Sequence, residues 1–156
     1  MVAKKRKNSN KIVIISDFST LEEYHSEYFK KYPKRTKKPI DKPWHPSINE
    51  WCILPRMQMN DLKQKWKHYT MWLCKKYNIE NLNIEKCEIT YKTFLPSKRR
   101  SDIDNYSPKF CQDGLVGSKV IMDDDYFHVN PLHIELYYDK NNPRMEIHIE
   151  RKDKNE

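Results

Sequence analysis

EKCEITYKTFL, residues 85–95, alternates strictly between two kinds of side chain. Cys87, Ile89, Tyr91, Thr93 and Leu95 fall on one side, and Glu88, Thr90, Lys92 and Phe94 on the other. A period of two is that of a β-strand with one buried face. Pro96 ends it, since proline cannot donate to a ladder. A strand with one apolar face needs a second layer to cover it, and the preceding segment supplies one. Asn60 can cap a helix, and Leu62, Trp66, Tyr69, Leu73 and Tyr77 then recur at helical spacing, so a helix is expected to end near Asn78. Lys63, Lys65, Lys67, Lys75 and Lys76 fall on its solvated side.

Working outward, residues 11–18 (KIVIISDF) form a β-branched run that reads as an opening strand, and Leu21, Tyr24 and Tyr28 carry a weak helical pattern. A second helix is expected from Ser107 as N-cap and Pro108 at the first helical position, with Gly117 as a left-handed stop. Residues 119–122 read as a brief strand. Residues 132–138 and 144–149 alternate around a turn at 139–143 and read as a hairpin. The expected class is therefore α+β: two layers, a small mixed β-sheet packed with two main helices. The expected organisation is a basic flexible tail at 1–10, one domain at 11–150 and a charged tail at 151–156.

Composition narrows the chemistry. The 156 residues suit one domain, and 30 Lys and Arg against 22 Asp and Glu give a net charge of +8, which favours a polyanionic partner. Only two glycines occur, Gly114 and Gly117, so a glycine-rich phosphate cradle is excluded. Cys52, Cys74, Cys87 and Cys111 are spaced too irregularly for a zinc site and read as buried free thiols. The six histidines are equally scattered, and those in strands, His133 and His148, read as solvent-facing or satisfied. No stretch approaches the roughly 20 apolar residues of a membrane span.

Residues 98–105 read Lys98-Arg99-Arg100-Ser101-Asp102-Ile103-Asp104-Asn105, and a second acidic knot follows at Asp123-Asp124-Asp125. On an extended backbone Asp102 and Asp104 project to one side while Ile103 turns away. Carboxylates so close repel one another unless a divalent cation or basic groups neutralise them. A basic run directly upstream suits the phosphates flanking a metal-bound scissile bond. Lys109 opens the second helix, where the macrodipole disfavours a cation by a few tenths of a kcal/mol or so unless an anion lies nearby. Between Lys30 and Pro43 the chain holds six lysines, Arg35 and three prolines, flanked by Tyr32 and Trp44. It reads as an extended basic loop, either a solvated connector or a nucleic-acid contact, and the flanking rings favour the contact, with Lys34, Arg35, Lys37 and Lys38 touching DNA.

Taken together, Lys98-Arg99-Arg100, Asp102-Ile103-Asp104-Asn105, Lys109, Asp113-Gly114-Leu115 and Asp123-Asp124 resemble the signature of the RusA-like Holliday junction resolvases. The resemblance covers residues 85–129 and the closing strands, and Pro46-Ser47-Ile48-Asn49 is similar to a short element of that family. It implies a RusA-like fold and a crossover junction endodeoxyribonuclease: a homodimer that binds branched DNA, a four-way junction, and makes paired nicks in recombination and repair. It implies Mg2+, or Mn2+, held by Asp102, Asp104 and Asp124 with Asp123 adjacent, and catalytic roles for Asp102, Asp104, Asp124 and Lys109. Lys98, Arg99 and Arg100 join the DNA contacts. Asp125 is an acid beyond the pattern. The expected location is cytoplasmic, bacterial or phage-encoded, with no membrane association. Lys109 lies one residue further from the D-x-D-N motif than in some members, and Ser101 stands where others carry arginine. The competing reading is a non-enzymatic basic nucleic-acid-binding module. A nucleotidyltransferase ranks behind both, because the Gly-Ser pair those enzymes place before their motif is missing.

Overall fold

The computed structural model describes residues 10–152. The expected tails at 1–10 and 151–156 lie outside it, apart from Asn10, Arg151 and Lys152. In chain order the elements are β1 (Lys11–Asp17), α1 (Phe18–Lys31), a single turn α2 (Ile48–Trp51), α3 (Arg56–Lys76), β2 (Cys87–Leu95), a 3-10 turn (Ile103–Tyr106), α4 (Lys109–Gly117), β3 (Val129–Tyr138) and β4 (Arg144–Arg151). The strands form one mixed sheet ordered β1-β4-β2-β3. The class is α+β, as expected, although α1 adds a third substantial helix.

The alternation in residues 87–95 does what it predicted. Cys87, Ile89, Tyr91 and Thr93 are buried and their neighbours half-exposed. In register, Ile14 of β1, Ile147 of β4, Tyr91 of β2 and Ile134 of β3 form one row across the sheet. Over its inner face, Trp66, Tyr69 and Leu73 of α3 and Phe110, Cys111 and Leu115 of α4 complete the core. One buried polar chain links the layers. Ser16 Oγ donates to the Pro43 carbonyl at 2.6 Å, which spends its only proton. Tyr69 must therefore be the donor in the 2.6 Å contact between its hydroxyl and Ser16 Oγ.

The expected hairpin does not form. β2 lies between β3 and β4, parallel to β3 and antiparallel to β4. Alternation reports which face of a strand is buried and says nothing of its partner. The connection has only to cross one strand, about 10 Å at the usual spacing, well within the reach of five residues. It is tied down as it crosses: Asp139 N–H donates to Leu95 O at 2.9 Å at the end of β2. Arg144 also donates to the Asp139 carboxylate at 2.9 Å.

Other departures have local causes. α3 begins at Arg56, a turn before Asn60, because Met59 N–H already closes on Pro55 O. It ends in a Schellman motif, with Asn78 at φ 55°, Asn78 N–H on Lys75 O and Ile79 N–H on Cys74 O. α4 ends the same way, but its left-handed residue is Lys119 at φ 56°, not Gly117, which remains helical. The other glycine, Gly114, serves close packing instead: a Cβ there would lie 2.5 Å from Thr70 Cβ. Residues 119–122 contribute one isolated bridge, Ile84 to Ile121, and no strand. The weak pattern after residue 18 is a full helix, started by a reciprocal capping box between Asp17 and Thr20. Three cysteines are buried, but Cys52 is exposed. Among the described residues no helix is long and apolar enough to cross a membrane.

Candidate functional site

Asp102 is the last extended residue before the 3-10 turn, with φ −79° and ψ 131°, and Asp104 lies inside that turn. The two-apart rule for extended chain therefore does not apply to this pair. Turns form here because Asn105 N–H closes on Asp102 O at 3.1 Å. Both carboxylates are exposed. Asp102 lines a hollow of about 330 Å³ with Arg100, Asn105, Ser47 and Asn49, so the Pro46-Ser47-Ile48-Asn49 element reaches the acidic motif across some fifty residues of sequence. Ser47 is itself fixed as the cap of α2, in a capping box with Glu50. Asp104 does not line this hollow.

The second knot divides its three acids between two tasks. Asp125 holds a turn: its Oδ1 accepts from Phe127 N–H at 3.1 Å, His128 N–H at 3.2 Å and His128 Nδ1 at 2.6 Å. The histidine bond above all keeps Asp125 below the usual carboxylate range. Asp123 and Asp124 line a separate hollow of about 360 Å³, together with Asp113, Lys63, Lys67 and Gln64. Asp124 is raised above the usual range, first by burial, then by the side chain and charge of Asp123, with Asp113 adding to the effect. Asp113 Oδ2 is buried and accepts no hydrogen bond, and Lys63 Nζ stands off at 3.8 Å. Negative charge is thus gathered with fewer donors than it could use.

Helix α4 lines the second hollow and not the first. Lys109, exposed in its first turn, and Asp113 are four residues apart, which places them on one helix face about 6 Å apart along the axis. Lys109 follows directly from the Asp104 turn, while Asp113 looks into the second hollow. The helix start is held by a residue that composition alone leaves unremarkable. His45, only 2 % exposed, packs between Trp66 and Phe110. Its Nδ1 contacts Pro46 O at 2.7 Å and must carry the proton, because a carbonyl only accepts. Nε2 then accepts Phe110 N–H at 3.0 Å, capping α4 in place of Ser107. Burial holds the imidazole down at about 4, so it stays neutral, as an acceptor must.

The structure thus brings Asp123 and Asp124 together with an acid that the sequence pattern does not single out for the metal, Asp113, and with Lys63 and Lys67, which the helical period places on the solvated side. Among the described residues, no group of three or more His, Cys, Asp or Glu is close enough to hold a metal ion. Carboxylate oxygens nonetheless suit Mg2+, which keeps several waters and typically takes only one or two protein carboxylates besides substrate phosphate. The unsatisfied Asp113 oxygen and the raised Asp124 are consistent with a cation of that kind.

Of the basic residues, Lys98, Arg99 and Arg100 lie exposed between β2 and the turn, with Lys98 Nζ 5.2 Å from the Tyr138 ring centroid. Lys34, Arg35, Lys37 and Lys38 are exposed beyond α1, and the Arg35 guanidinium sits 4.2 Å from the Tyr32 centroid. A profile of the family described as Endodeoxyribonuclease RusA matches residues 2–150. No curated protein matches the sequence.

Proposed function

From the fact that the chain belongs to the RusA endodeoxyribonuclease family, we propose that it is a divalent-metal-dependent nuclease that resolves four-way DNA junctions by paired nicks in recombination and repair. The observation that carries the reading is the gathering of Asp113, Asp123 and Asp124 in one hollow beside Lys63 and Lys67, with Asp102 and Arg100 sharing a second hollow. A nucleic-acid-binding protein with nothing to coordinate gains little from gathering carboxylates that repel phosphate.

Asp102 and Asp104 on one side, and Asp124 with Asp123 adjacent in the other hollow, are the carboxylates that would supply ligands to Mg2+ or Mn2+, each ion taking one or two of them besides water and DNA phosphate. Such an ion, when bound, lowers the pKa of a water that attacks phosphorus and neutralises the charge that develops there. Lys109 sets its ammonium against the same charge, which is worth most where water is excluded. Arg99 and Arg100 grip the flanking phosphate, Lys98 supports them, and Lys34, Arg35, Lys37 and Lys38 hold a DNA arm further out. Each chain supplies one site. Nicking two opposed strands across a two-fold junction therefore calls for two copies related by a two-fold axis.

The test is to incubate purified protein with a synthetic four-way junction, a duplex and a single strand, in Mg2+ and in chelator. Nicking of the junction alone, abolished by chelator, is expected. No nicking of any substrate, with binding unaffected by Mg2+, would replace the proposal with the binding module.

A further inference from the structure

Helices α1 and α3 are knitted together at depth by aromatic rings, yet above that seam they stand apart around an open groove of about 530 Å³. Tyr24 closes the floor, buried against Tyr69 with their centroids 4.9 Å apart. Tyr28, Tyr32 and Trp72 remain partly exposed and form the walls. Spacing explains the row: residues 24, 28 and 32 repeat at four, so their rings line up, tilted to one another, along one face of α1 and its C-cap Tyr32, with centroids 6.3 Å and 5.1 Å apart. A row needed only for packing would be covered along its length, and this one is covered only at its lower end.

The groove's charges point to a polyanion that also has a flat face. Lys65 is neutralised by Asp61 at 2.6 Å, and Glu27 accepts the indole N–H of Trp72. Lys31 and Arg35 form no ion pair among the described residues. Arg35 is instead held by donating to the Tyr28 hydroxyl at 2.7 Å, with its guanidinium plane over Tyr32. Aromatic and guanidinium planes set beside cations are the combination on which unpaired bases stack while their phosphates are held. The volume is within the range of sites that enclose a small ligand. Gln64 lines both this groove and the acidic hollow on the other flank of α3, so only one helix width, about 10–12 Å, separates the two.

We propose that the groove between α1 and α3 receives an unpaired base of the DNA strand engaged at the acidic hollow, stacked against Tyr32 and Arg35 with its phosphate at Lys31. This rests on the nuclease reading for which strand is bound. The occupant is a base of any identity, because a stack on a π-face makes little distinction between bases. A fully paired duplex offers no such base, whereas a branch point does.

The experiment uses the whole protein in chelator, with no cleavage, and follows tryptophan fluorescence as oligothymidylate is added. Binding should quench emission, and Trp72→Phe should remove most of the quench. Tyr32→Leu and Arg35→Ala should each weaken single-strand affinity by at least about fivefold, more than they weaken duplex affinity. Arg35→Lys should not restore it, since charge without the plane leaves no stacking surface. Thymidine monophosphate should bind far more weakly than the oligomer. Wild-type affinity in Arg35→Ala, full rescue by Arg35→Lys, equal weakening on single strand and duplex, or equal binding of the mononucleotide would each overturn the proposal. Arg35 is exposed, so its variants remain informative if Tyr32→Leu fails to fold. A protein that cuts no junction can still pass this test, and one that cuts junctions can still fail it.

Discussion

Acidification should loosen the start of α4 through one side chain, His45. Its ring is buried and neutral, with Nδ1–H on Pro46 O and Nε2 accepting from Phe110 N–H. In the unfolded chain the imidazole titrates near 6.5, and in the folded protein burial lowers this to about 4. A base whose folded pKa is depressed binds more protons unfolded than folded across that window. Its contribution is therefore complete above the unfolded value and disappears as the pH falls toward the folded one. From about pH 7 to about pH 4.5 the decrease from this group amounts to about 2 kcal/mol. The chemistry agrees with the sign, because a protonated Nε2 would turn a donor toward the Phe110 N–H it now accepts from. Urea denaturation of wild type and His45→Gln at both pH values isolates the effect from the carboxylates that titrate in the same range. The glutamine variant should be less stable at neutral pH, but its amide does not titrate, so wild type should lose about 2 kcal/mol more than the variant on acidification. Parallel decreases in the two proteins would refute the assignment of His45 as a neutral cap.

Gly114→Ala should destabilise by about 1–3 kcal/mol despite the helix propensity of alanine. The new Cβ would stand 2.5 Å and 2.7 Å from two buried carbon atoms of Thr70, and equal or higher stability in urea would show that α3 and α4 can separate. Replacing Lys34, Arg35, Lys37 and Lys38 by alanine together should flatten the salt dependence of junction binding. Every phosphate that is no longer neutralised should reduce the slope of log K against log salt by about 0.9. An unchanged slope, measured by titration across ionic strengths, would remove that loop from the DNA contacts. Asp125→Asn should weaken the turn that holds His128 while leaving the acids at 123 and 124 in place, so nicking should persist. Abolition of nicking with the fold intact would move Asp125 into the site.

What the residues disclosed follows from which interactions are local. The strand at 87–95 and the face of α3 were legible because burial imposes a period on the chain itself. The place of β2 between β3 and β4 was not, because pairing is a choice among partners that the period leaves open. The same division holds at the site. Asp102, Asp104, Asp123 and Asp124 stood out as acids in a basic chain, but the 3-10 turn that separates the first two arises from a backbone bond between Asp102 and Asn105. Asp113 was visible as a residue and invisible as a neighbour of Asp124, since only the path of the chain after α4 brings the two into one hollow. His45 was hidden for a similar reason: its partner Phe110 lies far along the chain, and a cap supplied from another loop leaves no mark on the helix it caps.

Asp124, raised by burial and by Asp123 and Asp113, is the acid on which the proposed metal-dependent phosphodiester site stands or falls. Its most direct test is the rate at which Asp124→Asn nicks a synthetic four-way junction in Mg2+, measured alongside its affinity for the same junction in chelator. Loss of nicking with junction affinity retained is the predicted result, and nicking at the wild-type rate would contradict the claim.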